Sequence, residues 1–199
     1  MSTLSWTLPE GIKGLIFDCD GTLVDSMPLH FQAWETVLQR HNLHLSEARF
    51  YGWAGLPVNQ IIQRLADEKG LIVDVATIAE ERDEYFHSQP LDLFRPVEVV
   101  VEIARSFRGI LPMAVATGST PASAEASLQA IGVLDWFDAV VSSHEVVHPK
   151  PAPDVFLLAA ERISVPPAQC VAFEDGEAGL TSAREAGMHV VDVRRMLVR

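Results

Sequence analysis

Two aspartates, Asp18 and Asp20, stand two residues apart and are followed by Gly21 and Thr22. Gly14-Leu15-Ile16-Phe17 precedes them as a short apolar run, the pattern of a strand buried on both faces. A buried strand that ends in bare carboxylates beside a glycine turn offers hard oxygen donors to a divalent cation and room for a phosphate. An exposed acidic turn would account for this pair alone, so other polar groups must converge on it before it reads as a site.

Three further stretches qualify. Thr117-Gly118-Ser119 closes an apolar run and precedes Thr120-Pro121, a capping residue and a first-turn proline. A hydroxyl and a glycine N–H just before a helix N-terminus can cradle a phosphate, and capping alone leaves Thr117 unexplained. His148-Pro149-Lys150-Pro151-Ala152-Pro153-Asp154 sets three prolines around one lysine. A solvated surface lysine needs no such restraint; a rigid ammonium beside the aspartates would neutralise the site and orient a phosphate. Phe173-Glu174-Asp175-Gly176 closes another apolar run, and its paired carboxylates supply oxygen ligands suited to Mg²⁺.

The elements that must position these groups follow from the same patterns. Strands are predicted over 12–18, 112–117, 138–142, 169–174 and 189–193, alternating with helices over 96–107, 121–131, 154–163 and 177–186. This alternation predicts an α/β fold, a doubly wound parallel sheet with helices on both faces, whose ligands bind at the C-terminal strand ends. Residues 1–11 read as a loose leader. Between the first strand and the rest lies a helical stretch. Asp25-Ser26-Met27-Pro28 starts a helix whose Met27, Phe31, Trp34 and Leu38 recur at helical spacing, with further helical patterns over 58–69 and 76–87. Residues 1–24 and 93–199 are thus expected to form the core, and 25–92 an inserted α-helical cap. Following directly on the aspartate-bearing strand, the insert should lie over the sheet's C-terminal edge as a lid. His30 falls between Met27 and Trp34 on the inward face of its first helix.

Composition narrows the partners. The chain has 199 residues, 48% hydrophobic and 21% charged, an ordinary globular balance. A net charge of -12 argues against nucleic acid or an anionic membrane, while a bound cation can invert the field locally at a phosphate site. The two cysteines, Cys19 and Cys170, are too far apart for a disulfide framework or zinc cluster and read as buried free thiols. Cys19 sits between the aspartates but points the other way along the strand. No secretory signal and no run of membrane-spanning length is evident. The expectation is a cytoplasmic protein with a small-molecule partner; its oligomeric state stays open, a monomer being the simplest case.

Taken in order, Asp18-Cys19-Asp20-Gly21-Thr22, the Lys150-Pro151-Ala152-Pro153-Asp154 run and the Glu174-Asp175 pair resemble the motifs of the haloacid dehalogenase-like (HAD) superfamily. Asp25-Ser26 through Trp34 and Lys150 through Glu185 look most similar to its β-phosphoglucomutase and sugar-phosphate phosphatase branch. The resemblance spans Leu15 to about Val193. It implies a Rossmann-like core with an inserted helical cap. It also implies a Mg²⁺-dependent phosphatase that acts through an aspartyl phosphate on a small sugar phosphate, fructose 1-phosphate or a related hexose phosphate. On this resemblance Asp18 is the nucleophile and Asp20 the acid that protonates the leaving oxygen and later activates water. Asp18, the Asp20 carbonyl and Asp175 hold the metal, with Glu174 as ligand or outer support. Lys150 is the catalytic cation, and Thr117, Gly118 and Ser119 the phosphate cradle. The mutase's matching histidine lies over the active site, which implies a substrate or relay role for His30; Arg82 and Glu81 are candidates for sugar contacts. The mutase carries an arginine in a Gly-Val-Ser-Arg run after the first cap helix. The corresponding Gly55-Leu56-Pro57-Val58 puts apolar Val58 there and favours hydrolysis over isomerisation. Three alternatives remain. β-Phosphoglucomutase shares the other residues named. A haloacid dehalogenase needs neither Asp20 nor a metal. A non-enzymatic phospho-accepting signalling module carries its acceptor on a middle strand and has no comparable lid.

Overall fold

The computed structural model describes residues 6–53 and 56–197. In chain order the elements are β1 (Gly14–Phe17), α1 (Met27–Arg40), α2 (Glu47–Gly52), α3 (Val58–Lys69), α4 (Val75–His87), α5 (Glu98–Phe107) and β2 (Met113–Thr117). There follow α6 (Pro121–Ala130), β3 (Ala139–Ser142), α7 (Asp154–Arg162), β4 (Cys170–Glu174), α8 (Glu177–Glu185) and β5 (His189–Asp192). The strands pair in parallel in the order β3-β2-β1-β4-β5, the doubly wound sheet that the alternation predicts. The chain winds outward from β1 in both directions, so the switch point where such sheets bind ligands lies at the end of β1. β1, β2 and β4 are buried throughout, which is why they read as unbroken apolar runs.

The two faces of the sheet differ in calibre. Leu15 and Phe17 of β1, Val115 of β2 and Phe173 of β4 pack in one layer with Val100, Val101 and Ile103 of α5. Phe17 and Phe173 stack there with centroids 4.7 Å apart. In the opposite layer small side chains predominate, Ala114 and Ala116 of β2 and Ala172 of β4, against Phe156, Ala159 and Ala160 of α7 and Ala183 of α8.

The helices between β1 and α5 have a core of their own, in which Trp34 and Leu38 of α1 meet Phe50 of α2, Ile62 and Leu65 of α3 and Ile78 of α4. Leu29 and Ala33 of α1 and Phe86 of α4 turn the other way and join the aromatic layer of the sheet. The chain crosses between helices and sheet twice, and the crossings bond each other: Asp25 N–H donates to the Arg95 carbonyl at 2.7 Å and Val97 N–H to that of Leu23 at 2.9 Å. Among the described residues no helix is long and apolar enough to cross a membrane.

Two expectations need correction. The leader is not loose from Trp6 onward: the Trp6 ring stands edge-on to Phe173 at 5.2 Å and to Phe107 at 6.1 Å, covering the aromatic layer; residues 1–5 lie outside the described residues. Ser26 flanks α1 but makes no side-chain cap, because its hydroxyl turns to Asp20 at 2.5 Å. The short helix α2 has no periodic signal of its own and holds on through Phe50. Both free thiols are buried, as expected.

Because Phe17 is fully buried and stacked, Phe17→Ala should destabilise the protein by about 3–5 kcal/mol, read as a lower urea midpoint at unchanged m-value. A change under about 1 kcal/mol would mean that this layer does not carry the fold.

Candidate active site

Strand register builds the site. β1 pairs with β4 so that Phe17 stands opposite Phe173, and the next residues, Asp18 and Glu174, emerge side by side at the sheet edge. On the other side of β1, β2 delivers Thr117. These residues floor a cavity of about 270 Å³, small as ligand sites go, whose roof comes from the helices that precede α5.

Lys150 is the hub. Its buried ammonium donates to Asp18 Oδ1 at 2.7 Å and to Glu174 Oε2 at 2.8 Å. Burial alone would lower its pKa, but the two carboxylates outweigh burial and raise it, so the ammonium stays charged. Asp18 is pushed up to about 7 by burial and then by the Glu174 charge, against the pull of Lys150. Asp175, by burial and the Asp18 charge, is likewise pushed up to about 7, and burial raises Glu174 as well.

Asp18, Glu174 and Asp175 each offer one oxygen within 4.8 Å of the others. Glu174 is engaged at both oxygens, by Lys150 and by Gly176 N–H at 3.0 Å, and Asp175 takes the Thr22 hydroxyl on Oδ1 at 2.8 Å. The second oxygens of Asp18 and Asp175 have no hydrogen bond among the described residues. Buried carboxylates in excess of one ammonium, with two oxygens unengaged, form a hard donor set that fits a divalent cation. Two glycines make room for these carboxyls. Gly21 has φ +89°, and a Cβ there would overlap the Asp175 carboxyl. A Cβ on Gly179, in α8, would overlap that of Glu174.

Asp20 lives in a different environment. Its Oδ1 accepts from Ser26 Oγ at 2.5 Å and meets His30 Nε2 at 2.9 Å, and its Oδ2 accepts from Ser119 Oγ at 2.6 Å. Burial would raise this carboxyl, but the pairing with His30 and the two hydroxyl bonds hold it well below the usual carboxylate range. His30 is stacked on Phe86 and buried, and its Nδ1 takes a hydrogen bond from the Arg82 guanidinium. Guanidinium has donors only, so Nδ1 must accept, which assigns the ring proton to Nε2, facing Asp20. Burial, and behind it the Arg82 charge, lowers the His30 pKa against the pull of Asp20, in keeping with a neutral ring.

The residues singled out in the sequence thus reach one cavity, but not all in the same way. Ser119 is tied to Asp20, and its N–H donates to Thr117 Oγ1 at 3.0 Å; Gly118 is exposed. Arg82 lines the cavity, whereas Glu81 points along the flank to His41 at 3.1 Å and Arg40 at 3.8 Å. Val58 lines the roof, and Gly55 lies outside the described residues. Cys19 is buried in the aromatic layer, away from the carboxylates it separates in sequence. Sequence reasoning missed Thr22, Ser26 and Gly179 as partners of the acids. Thr22 and Ser26 carried a signal, being hydroxyl residues in the turn after the Asp pair; Gly179 sits mid-helix and carried one only as a break in helix propensity.

A buried strand-end aspartate held by a lysine, beneath a helical insert, is the arrangement of a hydrolase family, and the chain belongs to it: the haloacid dehalogenase-like hydrolase model matches residues 12–187. The protein is therefore an enzyme, a HAD-like hydrolase. It is 43% identical over 185 residues to fructose-1-phosphate phosphatase YqaB of Escherichia coli (strain K12), covering 93% of this chain and 98% of that one. It is 27% identical to the β-phosphoglucomutase of Bacillus subtilis (strain 168) over 190 residues, 92% of this chain and 83% of that one. In fold it is similar to the crystal structure of CbbY from Rhodobacter sphaeroides in complex with phosphate, with a TM-score of 0.80 at 24% identity, over 90% of this chain and 84% of that one.

Lys150→Met should leave Asp18 and Glu174 facing each other without a counter-charge, at a loss of about 3–5 kcal/mol. Carboxyls whose pKa is raised in the folded state stabilise it below their unfolded pKa, and that stability is lost as pH rises through the folded value. In metal-free buffer the loss should therefore be larger at pH 8 than at pH 5.5, read by urea unfolding; a larger loss at the acid pH would contradict the ion-pair account.

Proposed function

We propose that the protein is a Mg²⁺-dependent phosphatase that hydrolyses small sugar phosphates, fructose 1-phosphate or a related hexose phosphate, through an aspartyl phosphate on Asp18. The observation that carries this reading is the convergence of Asp18, Asp20, Lys150 and the Glu174-Asp175 pair on one small cavity, together with 43% identity to a fructose-1-phosphate phosphatase.

Asp18 Oδ attacks phosphorus in line and the bond to the sugar oxygen breaks. Asp20, protonated when the incoming phosphate dianion raises its pKa, gives its proton to that oxygen. Asp20 then takes a proton from the water that attacks the aspartyl phosphate, releasing inorganic phosphate and restoring Asp18. Lys150 keeps Asp18 aimed and its negative charge compensated, while the Thr117 hydroxyl and the Gly118 N–H receive the non-bridging oxygens; Ser119, whose donors go to Asp20 and Thr117, supports the cradle from behind. Asp18, the Asp20 carbonyl and Asp175 would hold Mg²⁺, with Glu174 anchored behind them by Lys150 and Gly176. When bound, Mg²⁺ supplies positive charge against the transferring phosphoryl group. Residues 25–92 serve as a cap domain that encloses the sugar and limits water, with His30 orienting Asp20.

β-Phosphoglucomutase is the alternative that shares this machinery. Val58 in the roof, where the mutase resemblance calls for an arginine, favours hydrolysis. Phosphate release outpacing conversion of β-glucose 1-phosphate to glucose 6-phosphate would support that reading; dominant isomerisation would make the protein a mutase.

Asp18→Asn keeps the shape of the nucleophile without its charge. It should remove nearly all phosphate release from hexose phosphates, as EDTA should from the unmodified protein, with Mg²⁺ restoring the latter. Undiminished turnover in the variant would refute the assignment. Asp20→Asn should reduce sugar-phosphate turnover by roughly 10²- to 10⁴-fold, the worth of a positioned general acid. The reduction should be smaller for p-nitrophenyl phosphate, whose leaving group needs no proton. Equal losses would make Asp20 chiefly a positioning residue.

A further inference from the structure

The roof of the cavity carries one feature that phosphoryl transfer does not use. Trp34, Phe50, Trp53, Leu56, Val58 and Ile61 make it largely apolar. Into this apolar wall α4 sends two adjacent charged side chains, Arg82 and Asp83. Arg82 is buried, with its guanidinium over the Trp34 ring at 5.4 Å. One terminal nitrogen donates to His30 and the other to Asp83 Oδ1 at 2.5 Å, while its buried Nε has no partner. Asp83, whose side chain is 24% exposed, has no hydrogen bond on its second oxygen among the described residues.

An unengaged carboxylate oxygen, held in place by a buried guanidinium on the wall of an apolar cavity, is an acceptor suited to a hydroxylated ligand. A sugar hydroxyl can donate to the unengaged oxygen of Asp83, while the C–H faces of the sugar lie on the aromatic wall. The same pair is hostile to a second phosphate. The Arg82 charge is already matched by Asp83, Lys150 is held by Asp18 and Glu174, and Val58 adds no cation. A distal phosphate would meet a carboxylate in a partly desolvated cavity where, among the described lining residues, each Lys and Arg is already paired with a carboxylate.

Resting on the sugar-phosphate reading above, we infer that Asp83, oriented by Arg82, is the specificity residue of the leaving-group side: it accepts hydroxyl hydrogens from a neutral sugar or polyol and turns bisphosphates away. The substrate class is thereby narrowed to monophosphate esters of uncharged polyhydroxy compounds.

The test compares kcat/KM for fructose 1-phosphate, fructose 1,6-bisphosphate and p-nitrophenyl phosphate in the unmodified protein, Asp83→Asn and Asp83→Glu, with Tm measured for each. Asparagine keeps the shape and removes the charge; glutamate keeps the charge. The unmodified protein should prefer the monosphosphate sugar ester to the bisphosphate by about tenfold or more, and Asp83→Asn should shrink that preference by about tenfold. Its KM for fructose 1-phosphate should rise more than that for p-nitrophenyl phosphate, and Asp83→Glu should restore the rejection of the bisphosphate. An unchanged mono- to bisphosphate ratio in a folded Asp83→Asn would overturn the inference alone. So would parallel losses on all three esters, which would mean that Asp83 acts only through Arg82 and His30 on Asp20. No phosphate release from either sugar ester by the unmodified protein, with p-nitrophenyl phosphate still cleaved, would overturn the sugar-phosphatase reading and this inference together.

Discussion

The site depends on a single buried ammonium. Lys150 sits between Asp18 and Glu174, which the β1–β4 register sets next to each other at the end of the sheet. Two carboxylates so close in a low dielectric repel each other strongly, and a charge delivered from the loop between β3 and α7 makes their proximity tolerable. The contact is not a stabilising device in the ordinary sense, since well-packed apolar residues would hold these elements together at least as well. What it fixes is a geometry: the nucleophile candidate is aimed, and Glu174 is locked behind Asp175.

The two aspartates of the first motif are separated chemically by their surroundings. Asp18, facing other carboxylates in a buried site, is pushed up to about 7, whereas Asp20, receiving hydrogen bonds from Ser26, Ser119 and His30, is held low. Identical side chains two residues apart thus become chemically distinct groups. The second environment is assembled from four places: the turn after β1, the loop after β2, the inward face of α1 and, through Arg82, α4.

Much of the fold was legible because it is written in local patterns. Buried strands read as apolar runs, α3 and α4 as helical periodicity, and the ends of α6 and α8 as Thr120, Pro121 and Gly187. The candidate acids, Lys150 and Thr117 were legible because each closes an apolar run or is confined by prolines. What stayed hidden is relational. Nothing local tells that Ser26 turns from capping to Asp20, that Arg82 reaches His30 across 52 positions, or that Glu81, its neighbour, faces away. Trp6 was read as part of a leader because a lone aromatic has no period, and only its edge-on contacts with Phe173 and Phe107 give it a place.

The unequal calibre of the two sheet faces also bears on how faithfully the chain reaches one structure. Sliding β4 by one residue along β1 would turn Phe173 toward the layer already filled by Phe156 and the alanines, and would leave Ala172 in a gap among aromatics. Such a misalignment crowds one face and leaves a void in the other, and both disfavour it. The alignment of the acids at the strand ends is thereby proofread by side chains buried well behind them, which never meet a ligand.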